Sequence, residues 1–163
     1  MHKNNKTNNE KYIKLLYLIL LLLFVYSLLI YNNFTKKTSL VHVFISRIID
    51  GDTIEIDTGE QIRYIGIDTP EIGQKYADEA TRRNTDLLRD ASVLLERDVL
   101  YKDKYNRILG YVWVDGMMVN DELVKEGLAK TLTIPPDTKY EYRFNASQEY
   151  AKIHKRGLWK GLQ

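Results

Sequence analysis

Three short clusters hold the residues whose types and spacing could do chemistry: Asp50-Gly51-Asp52-Thr53, Arg63 with Asp68-Thr69-Pro70-Glu71, and Asp103-Lys104-Tyr105-Asn106-Arg107. Each mixes charge with turn-forming residues, the composition of a strand end where a scaffold presents side chains to a ligand. Asp52 and Asp68 are hard oxygen donors of the kind calcium or magnesium takes, and two carboxylates with a backbone carbonyl and water suit the loose shell of calcium. Taken alone, Asp50-Gly51 reads equally as an ordinary Asx turn. Arg63 and Arg107 are planar, permanently charged forks that match a phosphodiester and the added negative charge of its pentacovalent transition state. Glu71, just after Thr69-Pro70, can orient or deprotonate an attacking water. Singly, each of these charges also fits a surface salt bridge; together they are the set that metal-assisted phosphodiester hydrolysis requires.

Composition narrows the alternatives. The chain has no cysteine, which excludes disulfides, thiolate metal sites and thiol nucleophiles, and His2, His42 and His154 do not stand at zinc-ligand spacing. The formal charge of +2 is concentrated at the start, in Lys3, Lys6, Lys11 and Lys14. The remainder is close to neutral and cannot hold nucleic acid through its overall field. Phosphate binding must therefore come from a few placed arginines and lysines.

The elements that must position these clusters follow from pattern. Apolar residues fall in short runs at 40–49, 53–56, 61–67, 99–102 and 108–114, with hairpin signals at Thr58-Gly59 and Asp115-Gly116. Five strands so connected predict a small antiparallel barrel in an α+β, mainly β chain. Ala77, Ala80, Leu87, Leu88, Ala91, Leu94 and Leu95 keep helical spacing and predict one helix capping the barrel. A second helix is expected from Asn120, as its N-cap, through Lys125, ended by Gly127. A third is expected over 141–155, stopped by Gly157, with Pro135 and Pro136 in the loop before it. Strand parity sets a condition: Arg63 shares a face with Ile65 and Ile67 while Asp68 points the other way. The two converge only if the strand ends or bulges near Gly66, with Pro70 holding Thr69 extended.

Ahead of this domain, residues 15–35 carry no charge, and the core of the run is nearly pure Leu, Ile, Phe and Val without a polar face. Residues 12–31 read as a transmembrane helix or signal anchor, with Tyr12 and Tyr31 at its ends and more lysines on its N-terminal side (Lys3, Lys6, Lys11 and Lys14) than just after it (Lys36 and Lys37). That asymmetry predicts a basic cytoplasmic stretch at 1–11, a tether at 32–39 and a domain at 40–163 outside the cell membrane. A cleaved signal peptide, which would leave the domain secreted, fits the basic start and apolar run, although no small-x-small site follows.

Ile49-Asp50-Gly51-Asp52-Thr53, followed by Arg63-Tyr64-Ile65-Gly66-Ile67-Asp68-Thr69-Pro70-Glu71, resembles the two site motifs of the staphylococcal nuclease (thermonuclease) family in order and spacing. Asp103 to Val112, Asp115-Gly116, Val119-Asn120, Leu123 to Ala129 and Gly157-Leu158-Trp159 are similar to its later motifs, so the resemblance runs from about Val41 to Trp159. It implies an OB-fold five-stranded barrel with three helices and calcium-dependent hydrolysis of DNA and RNA to 3′-phosphate products by a monomer. Asp52 and Asp68 would bind Ca2+ through carboxylates and Thr69 through its carbonyl, with Asp50 behind them. Arg63 and Arg107 would clamp the scissile phosphate, Glu71 would be the general base, and Lys104 and Tyr105 would hold the terminal phosphate of a bound nucleotide. Three departures stand out. Asn106 replaces the family's usual glycine, the loop at 71–76 is shorter than in the best-known member, and residues 130–134 lack that member's tyrosines. Two other readings fit parts of the pattern: a tethered nucleic-acid-binding module that does not cut, and a calcium-dependent adhesion domain that would leave both arginines idle.

Overall fold

The computed structural model describes residues 3–34 and 40–161, in two compact units divided between Thr38 and Ser39. The first is a single helix, α1 (Lys3–Phe34). Within it Glu10–Leu28 is long and apolar enough to cross a membrane, and its leucines, isoleucine and aromatic residues are exposed. The helix extends beyond both ends of the expected span at 12–31. Of the expected tether, residues 35–39 lie outside the described ones.

The second unit contains β1 (Leu40–Val43), β2 (Ile45–Ile48), β3 (Thr53–Ile56), β4 (Gln61–Tyr64) and β5 (Gly66–Asp68), then α2 (Ala77–Leu88), β6 (Val93–Glu96), β7 (Ile108–Val114) and β8 (Met117–Met118). These are followed by α3 (Val119–Lys125), β9 (Lys130–Leu132), α4 (Glu141–Ile153) and a 3-10 turn at Gly157–Trp159. Hydrogen bonds link the strands in the order β1-β6-β7-β4-β3-β2. Because β1 and β2 are one stretch of chain interrupted only at Phe44, this path ends on the segment where it began. The five strand segments therefore form a ring, the OB-type arrangement, with three α-helices around it. All its pairings are antiparallel except β4 with β7, which run parallel.

Alternation along the strands fills the interior. Ile54, Ile62, Tyr64, Val112, Met118 and Leu123 are among its fully buried side chains. In α2 the buried positions Ala77, Ala80, Asn84 and Leu88 follow the helical repeat, so one stripe of that helix faces the barrel. Asp115 and Gly116 both take positive φ, 49° and 80°, the backbone that a tight two-residue hairpin needs.

Three expectations fail, each because a distant partner decides the local structure. Val93–Glu96 is a strand and not the end of the first helix: α2 stops at Leu88, and Asp90 at φ 55° turns the chain. Val93 and Leu95 then point into the core as alternate residues of β6. The stretch at 99–102 is not a strand; the N–H groups of Val99 and Leu100 donate to Asp137 Oδ1, both at 2.9 Å, and only Lys102 bridges to Ile108. Asn120 is no cap. It lies inside α3, fully buried, where its Oδ1 accepts from Val112 N at 2.9 Å and its Nδ2 donates to Ile65 O at 3.0 Å.

Asn120 thus satisfies one buried backbone group on β7 and another at the end of β4. Asn120→Ala leaves both without partners and is expected to lower stability by about 2 kcal/mol. The check is urea denaturation, with the midpoint falling at an unchanged slope.

Candidate active site

The turn between β2 and β3 is an Asx turn in which Asp52 N donates to Asp50 Oδ1 at 3.0 Å. Asn84 of α2 anchors it, donating through Nδ2 to Asp50 O at 3.1 Å while its Oδ1 accepts from the Tyr64 hydroxyl at 2.8 Å. Burial holds that hydroxyl protonated well above its ordinary pKa, so it stays a donor. Asn84 escaped the sequence reading because its partner lies 34 residues away.

Strand parity would have separated Arg63 from Asp68, and Gly66 removes the obstacle. Its φ of 81° ends the run of β4, and β5 leaves the barrel to pair with β9. The carbonyls and carboxylate of this bend then surround Arg63. Its Nη1 donates to Tyr64 O at 2.7 Å and Ile67 O at 2.9 Å, its Nη2 meets Asp68 Oδ1 at 2.9 Å, and its Nε lies 3.1 Å from Asp52 Oδ1.

Asp52 is the buried centre of the cluster. Its Oδ2 accepts from Thr69 N at 2.8 Å and from Thr69 Oγ1 at 3.0 Å, and its Oδ1 accepts from Thr53 Oγ1 at 3.2 Å. Burial nevertheless dominates and raises its pKa, helped by the nearby Asp50 charge and opposed by Arg63 and the Thr69 bonds. Removal from water thus costs the Asp52 carboxylate more than Arg63 and the Thr69 bonds return. Among the described residues no three acidic or histidine side chains come together as a metal site. A cation would draw two carboxylates and complete its coordination with carbonyl oxygen and water, which suits calcium or magnesium and not zinc.

This desolvation cost bears on stability. An acid whose folded pKa is raised destabilises the fold once pH exceeds its unfolded value, and the penalty is complete above the folded pKa. Without divalent cations, stability is therefore expected to fall as pH rises from the ordinary carboxylate range through the raised pKa of Asp52, which calorimetry across a pH series would read.

On the far side of the barrel mouth, Asp103 builds the turn that carries Arg107. Its Oδ1 accepts from Tyr105 N at 2.9 Å and Arg107 N at 3.0 Å; its Oδ2 accepts from Arg107 Nε at 2.8 Å and lies 2.7 Å from Nη2. Burial acts upward on Asp103, but the hydrogen bonds from Arg107 and Tyr105 outweigh it and lower its pKa. Asn106 takes φ 67°, the left-handed conformation expected where the family pattern has glycine.

Arg63, Arg107, Lys104 and Tyr105 line one cavity of about 410 Å3, together with Leu100, Leu132 and Ile134. Asp52 and Asp68 meet at Arg63, and Thr69 bonds to Asp52. Glu71 remains exposed: its N–H donates to Gln74 Oε1 at 3.1 Å, and among the described residues its carboxylate makes no hydrogen bond or ion pair. The apolar wall was not anticipated. Leu132 and Ile134 belong to the segment noted for its missing tyrosines, and Leu100 is placed by Asp137, which follows Pro135-Pro136 with no local signal of that role.

The family model described as staphylococcal nuclease homologue matches residues 61–161. Endonuclease YncB of Bacillus subtilis is 39% identical over 135 residues, covering 76% of this chain and 64% of the relative. A prophage-derived endonuclease of the same organism, YokF, is 39% identical over 131 residues, 74% of this chain and 44% of the relative. The chain thus spans less than two thirds of the length of these two. A thermonuclease of Staphylococcus hyicus is 41% identical over 122 residues, 69% of this chain and 72% of the relative.

Proposed function

Because this chain belongs to the staphylococcal nuclease family, we propose that it is a calcium-dependent nuclease that hydrolyses phosphodiester bonds of DNA and RNA to 3′-phosphate products, acting as a monomer outside the membrane. The observation that carries this reading is the placement of Arg63, which touches both candidate cation ligands and also lines the cavity with Arg107. In this reading Asp52 and Asp68 hold calcium through carboxylates and Thr69 through its carbonyl, with Asp50 supporting the turn behind them. Bound calcium would polarise the phosphate and an attacking water.

The arginines then share a task. Arg63 spends three hydrogens on Tyr64 O, Ile67 O and Asp52 and a fourth on Asp68, so it presents two to a phosphate only after releasing Asp68. Arg107 lines the same cavity, held by Asp103 but partly exposed. Glu71, with its carboxylate unengaged, takes the proton of the attacking water. Lys104 and Tyr105 receive the neighbouring phosphate. The helix α1 anchors the protein, with the domain at 40–163 on the outer side; if it is cleaved, the domain is secreted.

The test is release of acid-soluble nucleotides from single-stranded DNA and from RNA, with calcium and with a chelator. Calcium-dependent release from both supports the nuclease. A folded protein that binds the strand without cutting it would instead make this a tethered binding module, and calcium binding that nucleotides do not affect would point to adhesion.

A further inference from the structure

The chain between β6 and β7 carries two tyrosine rings flanked by cations. Tyr105 has Lys104 Nζ at 5.0 Å and the Arg107 guanidinium at 5.4 Å from its ring centre, and belongs to the cavity wall already described. Tyr101 repeats the arrangement just outside that wall, with the Arg97 guanidinium at 4.2 Å and Lys102 Nζ at 5.5 Å. Its ring is 47% exposed. Lys102 joins the two places: it lines the cavity, ion-pairs with Glu60 at 3.0 Å and lies beside the Tyr101 ring.

The Tyr101 segment is fixed in place. Asp137 holds the N–H groups of Val99 and Leu100, Leu109 N donates to Tyr101 O at 3.0 Å, and Lys102 bridges to Ile108. An exposed aromatic side chain on an anchored segment, with one cation over its ring and another that also lines a cavity holding Arg63, Lys104 and Arg107, is the arrangement that binds an unpaired nucleotide. The base stacks on the ring, the cations take the phosphate, and little ordering entropy is lost on binding.

We propose that Tyr101, with Arg97 and Lys102, forms a second nucleotide subsite that holds the substrate strand beyond the cavity. The protein then favours single strands long enough to reach it over dinucleotides. The inference rests on the reading of the cavity as a phosphodiester site.

The test uses the full chain in neutral detergent micelles with chelator present, so that binding is measured without cleavage. Fluorescence anisotropy follows labelled oligothymidylates of two and eight nucleotides. Tyr101→Ala is expected to weaken the eight-mer about tenfold, the loss of one stacked base, and the two-mer by less than about twofold. Tyr101→Phe, which keeps the ring, should bind both like the parent, and Arg97→Ala should reduce the salt dependence of eight-mer binding by about one unit of logarithmic slope. Equal weakening of both lengths, or none for the eight-mer, overturns the subsite. A parallel assay with calcium keeps the two ideas apart: Tyr101-dependent binding without cleavage leaves the subsite and removes the nuclease, whereas cleavage with length-independent binding does the reverse.

Discussion

Replacing Arg63 by lysine is expected to lower kcat by about a thousandfold, equivalent to about 4 kcal/mol of transition-state stabilisation, while changing KM much less. Lysine keeps the positive charge but not the fork. One ammonium cannot donate to Tyr64 O and Ile67 O, pair with Asp52 and Asp68, and still offer a hydrogen to a phosphate in the plane that the guanidinium provides. In the proposed mechanism the charge that accumulates on the phosphoryl oxygens in the transition state would then be less well met, whereas substrate binding would draw also on Arg107, Lys104 and Tyr105. Steady-state kinetics on a defined oligonucleotide, with circular dichroism to confirm folding, would read the split. A kcat within tenfold of the parent would show that Arg63 serves the fold and not the chemistry.

The second large effect belongs to a residue with no side chain. Gly66→Ala puts an L-residue at φ 81°, which costs roughly 1–2 kcal/mol. It also places a Cβ 2.3 Å from Phe144 Cε2 and 2.7 Å from its Cδ2. Phe144 cannot easily move aside, because it is 1% exposed and packs beside Tyr111 and Tyr140, with ring centres 6.1 and 6.5 Å away. Overpacking of this kind costs roughly 1–3 kcal/mol, so the two contributions together come to about 3 kcal/mol. Chemical denaturation should show this loss. Phe144→Leu in the Gly66→Ala background should recover the steric part and leave the backbone part. If Gly66→Ala unfolds within about 1 kcal/mol of the parent, the bend is more permissive than these contacts imply, since ordinary surface changes stay below that. The same substitution should lower kcat per folded molecule, because this bend delivers Asp68 to Arg63.

Much of the site was legible because its signals are local. Asp50-Gly51-Asp52 predicts a turn from its own residues, Asp115-Gly116 predicts a hairpin, and the parity conflict between Arg63 and Asp68 pointed to Gly66 as the place where the strand must break. What stayed hidden depends on partners far along the chain. Leu94 and Leu95 continue a helical spacing set by Leu87, Leu88 and Ala91, and nothing nearby reveals that Asp90 turns the chain so that β7 and β1 can take them as a strand. Asn120 has the composition of a cap, but its hydrogen bonds go to Ile65 and Val112, so burial between two strands determines its role. Glu96 is the same kind of case. It is a charged residue 3% exposed, bonded to Trp113 Nε1 at 2.7 Å and the Tyr140 hydroxyl at 3.0 Å and ion-paired with Lys139. Those partners come from β7 and from the approach to α4.

The ring closed through Phe44 also sets a timetable for synthesis. β2, β3 and β4 are successive and can pair as soon as they leave the ribosome, but β1 has no partner until Glu96, opposite Leu40, has been made. At about 5–20 residues per second the first strand waits several seconds with its backbone unpaired. During that interval the nascent domain is an open sheet with two free edges. Chaperone binding, or pairing with a neighbouring nascent chain, then competes with closure, and the competition ends when β7 joins β6 to β4.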